Sequence, residues 1–364
     1  MTQALFVPEN YSAKPYSDSV TWQAPSNIAL VKYWGKYASQ IPANPSLSFT
    51  LNACRTITTV SFELQKTISD DFDITVLLEG FKAPDFLPKI KTFFERIEPY
   101  LPFLRAYRFT INTRNTFPHS SGIASSASGL SALALCLISI ERLFFNKKNS
   151  IPLTDFELKK ASFLARLGSG SACRSIEGEL VVWGNHPDIK GSSNLYGIKY
   201  PYEVHPDFKG FLDTVLLVDV DKKQVSSTVG HSLMQNHPFA TQRFKQASKN
   251  LTKLIDFFKS GDLEGFIAIV ESEALTLHAM MMSSNPYFIL MKPQTLEIIQ
   301  KIRRFRKETN IPVCFTLDAG ANVHVLYPQR FKKQVYDFII NQLIIHCYQG
   351  RFICDQIGFG AKKM

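Results

Sequence analysis

The residues best suited to chemistry fall in four short stretches. The first is "PHSSGIASSASGLSALAL", Pro118 to Leu135. Pro118 and Gly122 punctuate a turn, and the small residues after it let backbone approach a ligand closely. Ser125 and Ser126 fall where a helix should begin, placed to cap it or to donate hydroxyls to phosphate oxygens. Exposed N–H groups and the positive dipole end add affinity for an anion. A Walker A loop needs a lysine after its second glycine; here Gly129 is followed by Leu130, so any phosphate bound must be neutralised from elsewhere. A Ser/Gly-rich helix start that merely packs tightly fits the same letters.

The second stretch, "APSNIALVKYWGKYASQIPANPSLSFTL", supplies lysines. Strand alternation sets Asn27, Ala29, Val31 and Tyr33 on one face and Ile28, Leu30, Lys32 and Trp34 on the other. A lysine sharing a face with three apolar residues is either an edge residue or a charge held toward an anionic site. Lys36, after the Gly35 turn, reaches the same region from another direction, unless both are simply exposed. The third, "RLGSGSACRSIEGELVVWG", offers Ser169, Ser171 and the Arg174 guanidinium within one turn, suited to carboxylate or phosphate. The alternative is a Gly-Ser linker, weakened by the apolar Cys173 and Ile176. In the fourth, "FTLDAGANVHVLY", Asp318 ends an apolar strand before a glycine turn, a place for a general base, a metal ligand or an ordinary turn-forming aspartate.

The elements that must position these residues read as α+β in both halves. Strands are predicted at "TWQAPSNIALVKYW", "TITTVSFEL", "FDITVLLEG", "YRFTINTR" and "GELVVWG", rich in β-branched and aromatic residues. Helices are predicted near "PKIKTFFERIEPYL", "SASGLSALALCLISIERLF" and "DFELKKASFLARL". From about residue 205 the strand "DTVLLVDV" precedes three long helices, two short strands ("VCFTLDAG", "NVHVLYP") and a last helix around "FKKQVYDFIINQL". A boundary in "YPYEVHPDFKG" divides the chain into 1–204 and 205–364.

With 364 residues and 29 phenylalanines, the chain has enough apolar surface for a large interior and enough length for two domains. The apolar run Leu130 to Ile140 is too short to cross a bilayer and ends at Glu141–Arg142. The first residues lack a basic start and an apolar core, so no secretory signal is read and cytoplasm is the expectation. Six cysteines without a C-x-x-C read as free thiols, and no H-x-x-x-H pair argues for zinc. A net charge of +10 suits an anionic partner; "KIRRFRK", Lys301 to Lys307, lies on an amphipathic helix and reads as a solvated face. Small phosphorylated ligands fit this balance as well as nucleic acid does.

Taken in order, the four stretches resemble the GHMP small-molecule kinase superfamily, and within it the diphosphomevalonate decarboxylases. Pro118–Ser128 is similar to the family's P-x-x-x-G-[LI]-[AG]-S-S-A phosphate loop, and "NIALVKYWGK", "GSGSACRS" and "LDAGANVHVLY" resemble blocks that separate the decarboxylase from its kinase relatives. The resemblance runs from residue 24 to 327. It implies a two-lobed GHMP kinase-like fold, with an N-terminal lobe like the second domain of ribosomal protein S5 and a ferredoxin-like C-terminal lobe. It also implies ATP-dependent phosphorylation of the tertiary 3-hydroxyl of (R)-5-diphosphomevalonate, then loss of phosphate and carbon dioxide to give isopentenyl diphosphate.

By the same resemblance, Asp318 and Lys32 are the catalytic pair: the carboxylate orients or deprotonates the hydroxyl, and the ammonium stabilises phosphoryl charge. Tyr33 and Lys36 hold the substrate diphosphate; Arg174, Ser169 and Ser171 bind its carboxylate and diphosphate; Asn27 orients Asp318 or the substrate; Ser226 and Ser227 open a substrate-binding loop. Ser121, Gly122, Ala124, Ser125 and Ser126 cradle ATP, with Mg²⁺ carried mainly by the nucleotide and Ser126 as the candidate protein ligand. A homodimer without nucleic-acid or membrane partners is the implied assembly. Three positions depart from the pattern: His119 in the phosphate loop, Thr228 where some bacterial relatives carry arginine, and Pro45 in the turn after the first strand. A relative that only phosphorylates, or that acts on a monophosphate, is the nearest competing expectation. A non-catalytic sensor should have lost its base, and a nucleic-acid module leaves the Asp318 segment unexplained.

Overall fold

The structure, a computed structural model, describes residues 2–9, 14–67, 70–118, 123, 125–145, 151–220 and 227–364, without the side chains of residues 227 and 228. Alternating β-branched and aromatic residues draw the first half into one mixed sheet. Its elements are β1 (Ser17–Val31), β2 (Ser46–Leu64), β3 (Asp73–Leu78), β4 (Phe81–Lys82), α1 (Leu87–Ile97), β5 (Tyr107–Asn115), α2 (Ser125–Phe144), α3 (Asp155–Gly168), β6 (Leu180–Trp183) and β7 (Ile198–Lys199). The second half holds β8 (Leu212–Leu216), α4 (Ser227–Ser232), α5 (Ala240–Ser260), α6 (Leu263–Met282), α7 (Pro293–Thr309), β9 (Cys314–Thr316), β10 (Val323–Tyr327), α8 (Lys332–Phe338), β11 (Phe352–Gln356) and β12 (Lys362–Lys363).

The first sheet has the order β12-β1-β2-β5-β3-β4, with β6 and β7 continuing from β2. The chain's last strand thus returns to pair with β1, Trp22 opposite Lys363. Among the described residues only β3 and β5 of this sheet pair in parallel. Strand β2 is ten residues longer than the predicted Thr56–Leu64: its Ser46–Leu51 part alternates polar and apolar residues as a strand does, yet is buried on both faces. It pairs β6 there and β5 further on. The second sheet is antiparallel, β11-β8-β10-β9, so the fold is the expected two-lobed GHMP kinase-like one. Sequence reading missed β11 and β12, whose few residues lack a clear apolar period.

Among the described residues four apolar clusters hold these layers, the smallest of them around Trp34, Met234, Leu277 and Met280. One lies between the first sheet and helices α1 to α3, built on Phe62, Phe94, Phe109, Leu133 and Phe163. A second joins the lobes: Ile28, Leu30, Leu47 and Phe49 pack with Phe211, Val215, Phe266 and Val270. A third covers the other face of the second sheet, where Leu216, Phe315 and Val325 meet Ile298, Ile302 and Val335. Neighbours Val215 and Leu216 enter different cores, as strand alternation requires. Caps define the helices: Thr154 and Glu157 form a capping box on α3, and Asp262 accepts from Gly265 N at 2.9 Å to start α6. Helices α2 and α6 are long and apolar enough to cross a membrane by length and composition, but 89 % and 56 % of their apolar windows are buried inside the protein. Their apolar faces are thus largely spent on packing against neighbouring elements.

Candidate active site

Strand β1 delivers its C-terminal residues into the seam between the lobes. Two register irregularities, between Pro25 and Asn27 and between Ala29 and Val31, bend it there. Lys32 follows at once and is 1 % exposed. Its Nζ lies 3.0 Å from Asp318 Oδ1, which comes from the β9–β10 turn of the other lobe. Burial pulls the Lys32 ammonium below its usual range, opposed by Asp318 and then Glu273, while Arg174 pushes it further down. Lys32 is buried together with Ile28, Leu30 and Trp34, but so are Asn27, Ala29 and Val31 of the other expected face, and the register shift between Ala29 and Val31 interrupts the simple alternation. The Asp318 loop is itself fixed: His278 Nε2 donates to the Asp318 carbonyl at 3.1 Å and Thr295 Oγ1 to that of Ala321 at 2.7 Å.

Arg174 sits on the turn after α3, 3 % exposed, with Nη1 2.6 Å from Ser46 Oγ and Nε 3.3 Å from Asn27 Oδ1. Asn27 donates to Ser175 Oγ at 2.8 Å and to the Ser171 carbonyl at 3.3 Å. Its side chain therefore stands behind Arg174 rather than beside Asp318. Burial holds the Arg174 guanidinium below its usual range, with Cys173 and Asp318 acting the other way, so Arg174, Lys32 and Asp318 share one field. Ser169 and Ser171 flank this turn half-buried. Lys36 is half-buried, and its ammonium is lowered by burial and then by the nearby Arg96. Among the described residues neither Lys36 nor Arg174 is in an ion pair, which leaves an excess of positive charge suited to a polyanion. The Tyr33 hydroxyl is buried without a partner, against Gly170, where an added Cβ would lie 2.7 Å from it. Its ring packs 4.2 Å from that of His231, whose Nδ1 accepts from Gly35 N at 2.9 Å.

At the start of α2 a cavity of about 240 Å³ opens, lined by Ser125, Ser126, Gly129, Asn115, Lys89 and Phe86 among others. Ser128 and Thr56 bond at 2.6 Å, and Thr56 donates to Asn115 Oδ1 at 2.7 Å, which ties the helix start to β2 and β5. Mostly apolar walls with hydroxyls at a helix N-terminus suit a nucleoside with its phosphates at the helix end. Ser121, Gly122, Ala124 and Ser226, with His119, lie outside the described residues, as does the side chain of Ser227. Among the described residues no three His, Cys, Asp or Glu side chains gather as a metal site.

Sequence reasoning missed the residues that hold the reacting groups from behind: Asn44, Arg243, Glu273, His231 and His278, and Lys89 and Asn115 beside α2. One signal was present. Glu273 and His278 are polar letters in the largely apolar "FIAIVESEALTLHAMM" of α6, and a polar residue turned inward on such a helix needs a buried partner.

Comparison with known proteins follows the same division of the chain. Residues 24–194 match a family described as the diphosphomevalonate decarboxylase-like N-terminal domain, and 214–355 one described as the mevalonate 5-diphosphate decarboxylase C-terminal domain. A diphosphomevalonate decarboxylase of Debaryomyces hansenii is 31 % identical over 345 residues, 89 % of this chain and 82 % of the relative. That of Ganoderma lucidum is 29 % identical over 340 residues, 88 % and 81 % of the two chains. Among solved structures, mevalonate diphosphate decarboxylase from Staphylococcus aureus superposes with TM-score 0.79 at 28 % identity, covering 96 % of this chain and 98 % of that one. One from Enterococcus faecalis, described in terms of ATP binding mediated by mevalonate diphosphate, gives 0.78 at 27 % identity, covering 96 % and 99 %. A complex described as MDDEF with MVAPP, AMPPCP and magnesium gives 0.79 at 29 % identity, with the same coverage.

Proposed function

Because the chain belongs to the diphosphomevalonate decarboxylase family, we propose that the residues gathered at the lobe seam divide that reaction among them. The chain catalyses ATP-dependent decarboxylation of 5-diphosphomevalonate to isopentenyl diphosphate in the mevalonate pathway. The observation that carries the residue assignment is the Lys32–Asp318 pair, one member from each lobe, 3.0 Å apart in a largely buried seam.

Asp318, with the Lys32 ammonium 3.0 Å away, accepts or orients the proton of the 3-hydroxyl. A tertiary alcohol is a poor nucleophile, so holding it in line with the γ-phosphoryl group is worth as much as the proton transfer. Lys32 then faces the charge that builds on the transferred phosphoryl group. In the second step the C3–O bond breaks and phosphate leaves with that electron pair. The bond to the carboxylate carbon breaks next to it, and its electrons become the new C=C as carbon dioxide departs. Arg174, held by Ser46 and Asn27, fixes the carboxylate end; Lys36, with Ser169 and Ser171, takes the diphosphate. Tyr33 shapes this pocket through its ring.

Ser125, Ser126 and the start of α2 take ATP in this reading, which the cavity they line supports. With no carboxylate cage among the described residues, Mg²⁺ fits as an ion carried by the nucleotide phosphates, Ser126 being the protein hydroxyl nearest that role. When bound, it neutralises phosphate charge during transfer. We further divide the lobes at 204/205, which is supported by a first sheet built from 17–199 plus the tail and a second from 212–356. The test of the reading is the stoichiometry of products from Mg-ATP and 5-diphosphomevalonate. ADP, phosphate and carbon dioxide should appear together in equal amounts; ADP without carbon dioxide would make the seam a kinase site only.

A further inference from the structure

Lys32 is held by its backbone as well as by its side chain. Its N–H donates to Glu273 Oε2 at 2.9 Å. Its carbonyl accepts from Asn44 Nδ2 at 2.9 Å and from Arg243 Nη2 at 3.5 Å. Glu273 is gripped in turn by Arg243, through bonds of 2.8 and 2.5 Å, and by Asn250 Nδ2 at 2.6 Å. Arg243 and Glu273 are 1 % and 0 % exposed.

A buried ion pair of this kind is a weak source of stability, because desolvation offsets most of the attraction and apolar residues often do as well. Here the Arg243 Nε is also left buried without a partner, a further cost. The pair therefore calls for a use other than stability. It comes from α5 and α6 of the second lobe, yet it closes on the backbone of a first-lobe residue. Five positions along α6, His278 donates to the Asp318 carbonyl. One helix thus grips the backbone of both members of the Lys32–Asp318 pair, which come from different lobes. Uncontrolled, the Lys32 ammonium at the end of a four-carbon stem would sample many positions. Misplacement of a group by about 1 Å at a reacting centre costs on the order of a hundredfold in rate.

We propose that Glu273, locked by Arg243, is a positioning residue that sets the backbone of Lys32 and so keeps its ammonium opposite Asp318. This rests on Lys32 acting at the reacting centre, and the experiment separates the two claims. The double variant Arg243→Met/Glu273→Leu replaces the ion pair with apolar side chains that can pack in the same space. Thermal melting, nucleotide binding, and kcat and KM for both substrates are measured, with rates expressed per nucleotide-binding site. The expected result is a folded protein with both KM values within about threefold of the parent and kcat lower by roughly ten- to a hundredfold. A folded double variant with kcat within about twofold of the parent overturns the proposal.

Should that variant fail to fold, Glu273→Asp keeps the charge and the Arg243 partner but draws the carboxylate one methylene away from the Lys32 N–H. It should lower kcat by about three- to tenfold with KM unchanged, and an unaltered kcat would overturn the proposal equally. Lys32→Met is the reference. If it turns over near the parent rate, the reading of Lys32 fails and the proposal with it. If Lys32→Met is inactive while the clamp variants are not, the clamp alone is wrong.

Discussion

Asp318→Asn keeps the size of the side chain and removes its charge, and it tests the seam in two ways at once. The first is chemical. Without a carboxylate to take or orient the proton, kcat should fall by roughly 10³ or more while ATP binding is kept. The second is electrostatic and follows from the Lys32 environment. At the 3.0 Å separation, a unit-charge pair at an effective dielectric constant of ~20 amounts to about 5 kcal/mol. Asparagine keeps a hydrogen-bond acceptor, and 31 % of the Asp318 side chain meets solvent, so about half of that is lost. The Lys32 ammonium is already depressed by burial, and Asp318 is the largest influence holding it up. In the variant its pKa moves further down. The protonated form is then lost at lower pH, and the alkaline limb of the residual activity shifts to lower pH. The assay follows ADP and carbon dioxide release together at saturating substrates from about pH 6 to 10. A kcat within about tenfold of the parent would refute the role of the carboxylate. A low kcat with an unmoved alkaline limb would refute the coupling to Lys32.

Three other outcomes follow from the same geometry. Arg174→Met should raise KM for 5-diphosphomevalonate by roughly a hundredfold, and Arg174→Lys should rescue little, since one ammonium cannot serve Ser46, Asn27 and a carboxylate as the guanidinium does; steady-state kinetics decide it. At Gly129 an added Cβ meets only Thr56 Cγ2 at 3.9 Å, so Gly129→Ala should bind ATP nearly as the parent does. Gly129→Leu, filling the cavity beside α2, should weaken nucleotide affinity by about tenfold or more without changing substrate affinity measured calorimetrically. His231 and His278 are kept neutral by burial, with pKa values pushed down to about 3 and about 4. Since histidines of the unfolded chain titrate near ~6.5, the unfolded state binds more protons below that pH; their contribution is whole above it and is lost as pH falls through the window. For His278 the loss approaches about 3 kcal/mol near pH ~4, and His278→Gln, which keeps a donor to Asp318 O and cannot ionise, should flatten the dependence of urea midpoints on pH. Parallel slopes for the two proteins would exclude it.

Much of the site was legible because its chemistry lies in local patterns. Lys32 among Ile28, Leu30 and Trp34 is a charge where alternation expects an apolar side chain, and burial of all four shows why that anomaly had meaning. Asp318 before Ala-Gly-Ala marks the end of a strand at a turn, where the structure has it. Asn27 shows the limit: its bonds go to Arg174, Ser171 and Ser175, a matter of which side chains pack behind the turn and not of the block it belongs to. Ser46 belongs to the quoted stretch, yet nothing in "NPSLS" says that its hydroxyl will hold an arginine 128 positions away. Arg243 and Asn250 fall on an ordinary amphipathic helix and carry no local mark at all.

The amino-acid order by itself determined the element types, the two-part division, the four reactive stretches and the family they resemble, because each depends on residues within one or two turns of one another. Tertiary structure alone decided which of those residues meet. Lys32 and Asp318 are 286 positions apart, and their contact depends on the shared core at the lobe seam and on α6 holding both backbones. Sequence spacing carries no such information, since a contact between lobes is selected by packing summed over the whole interface rather than by any pair of letters.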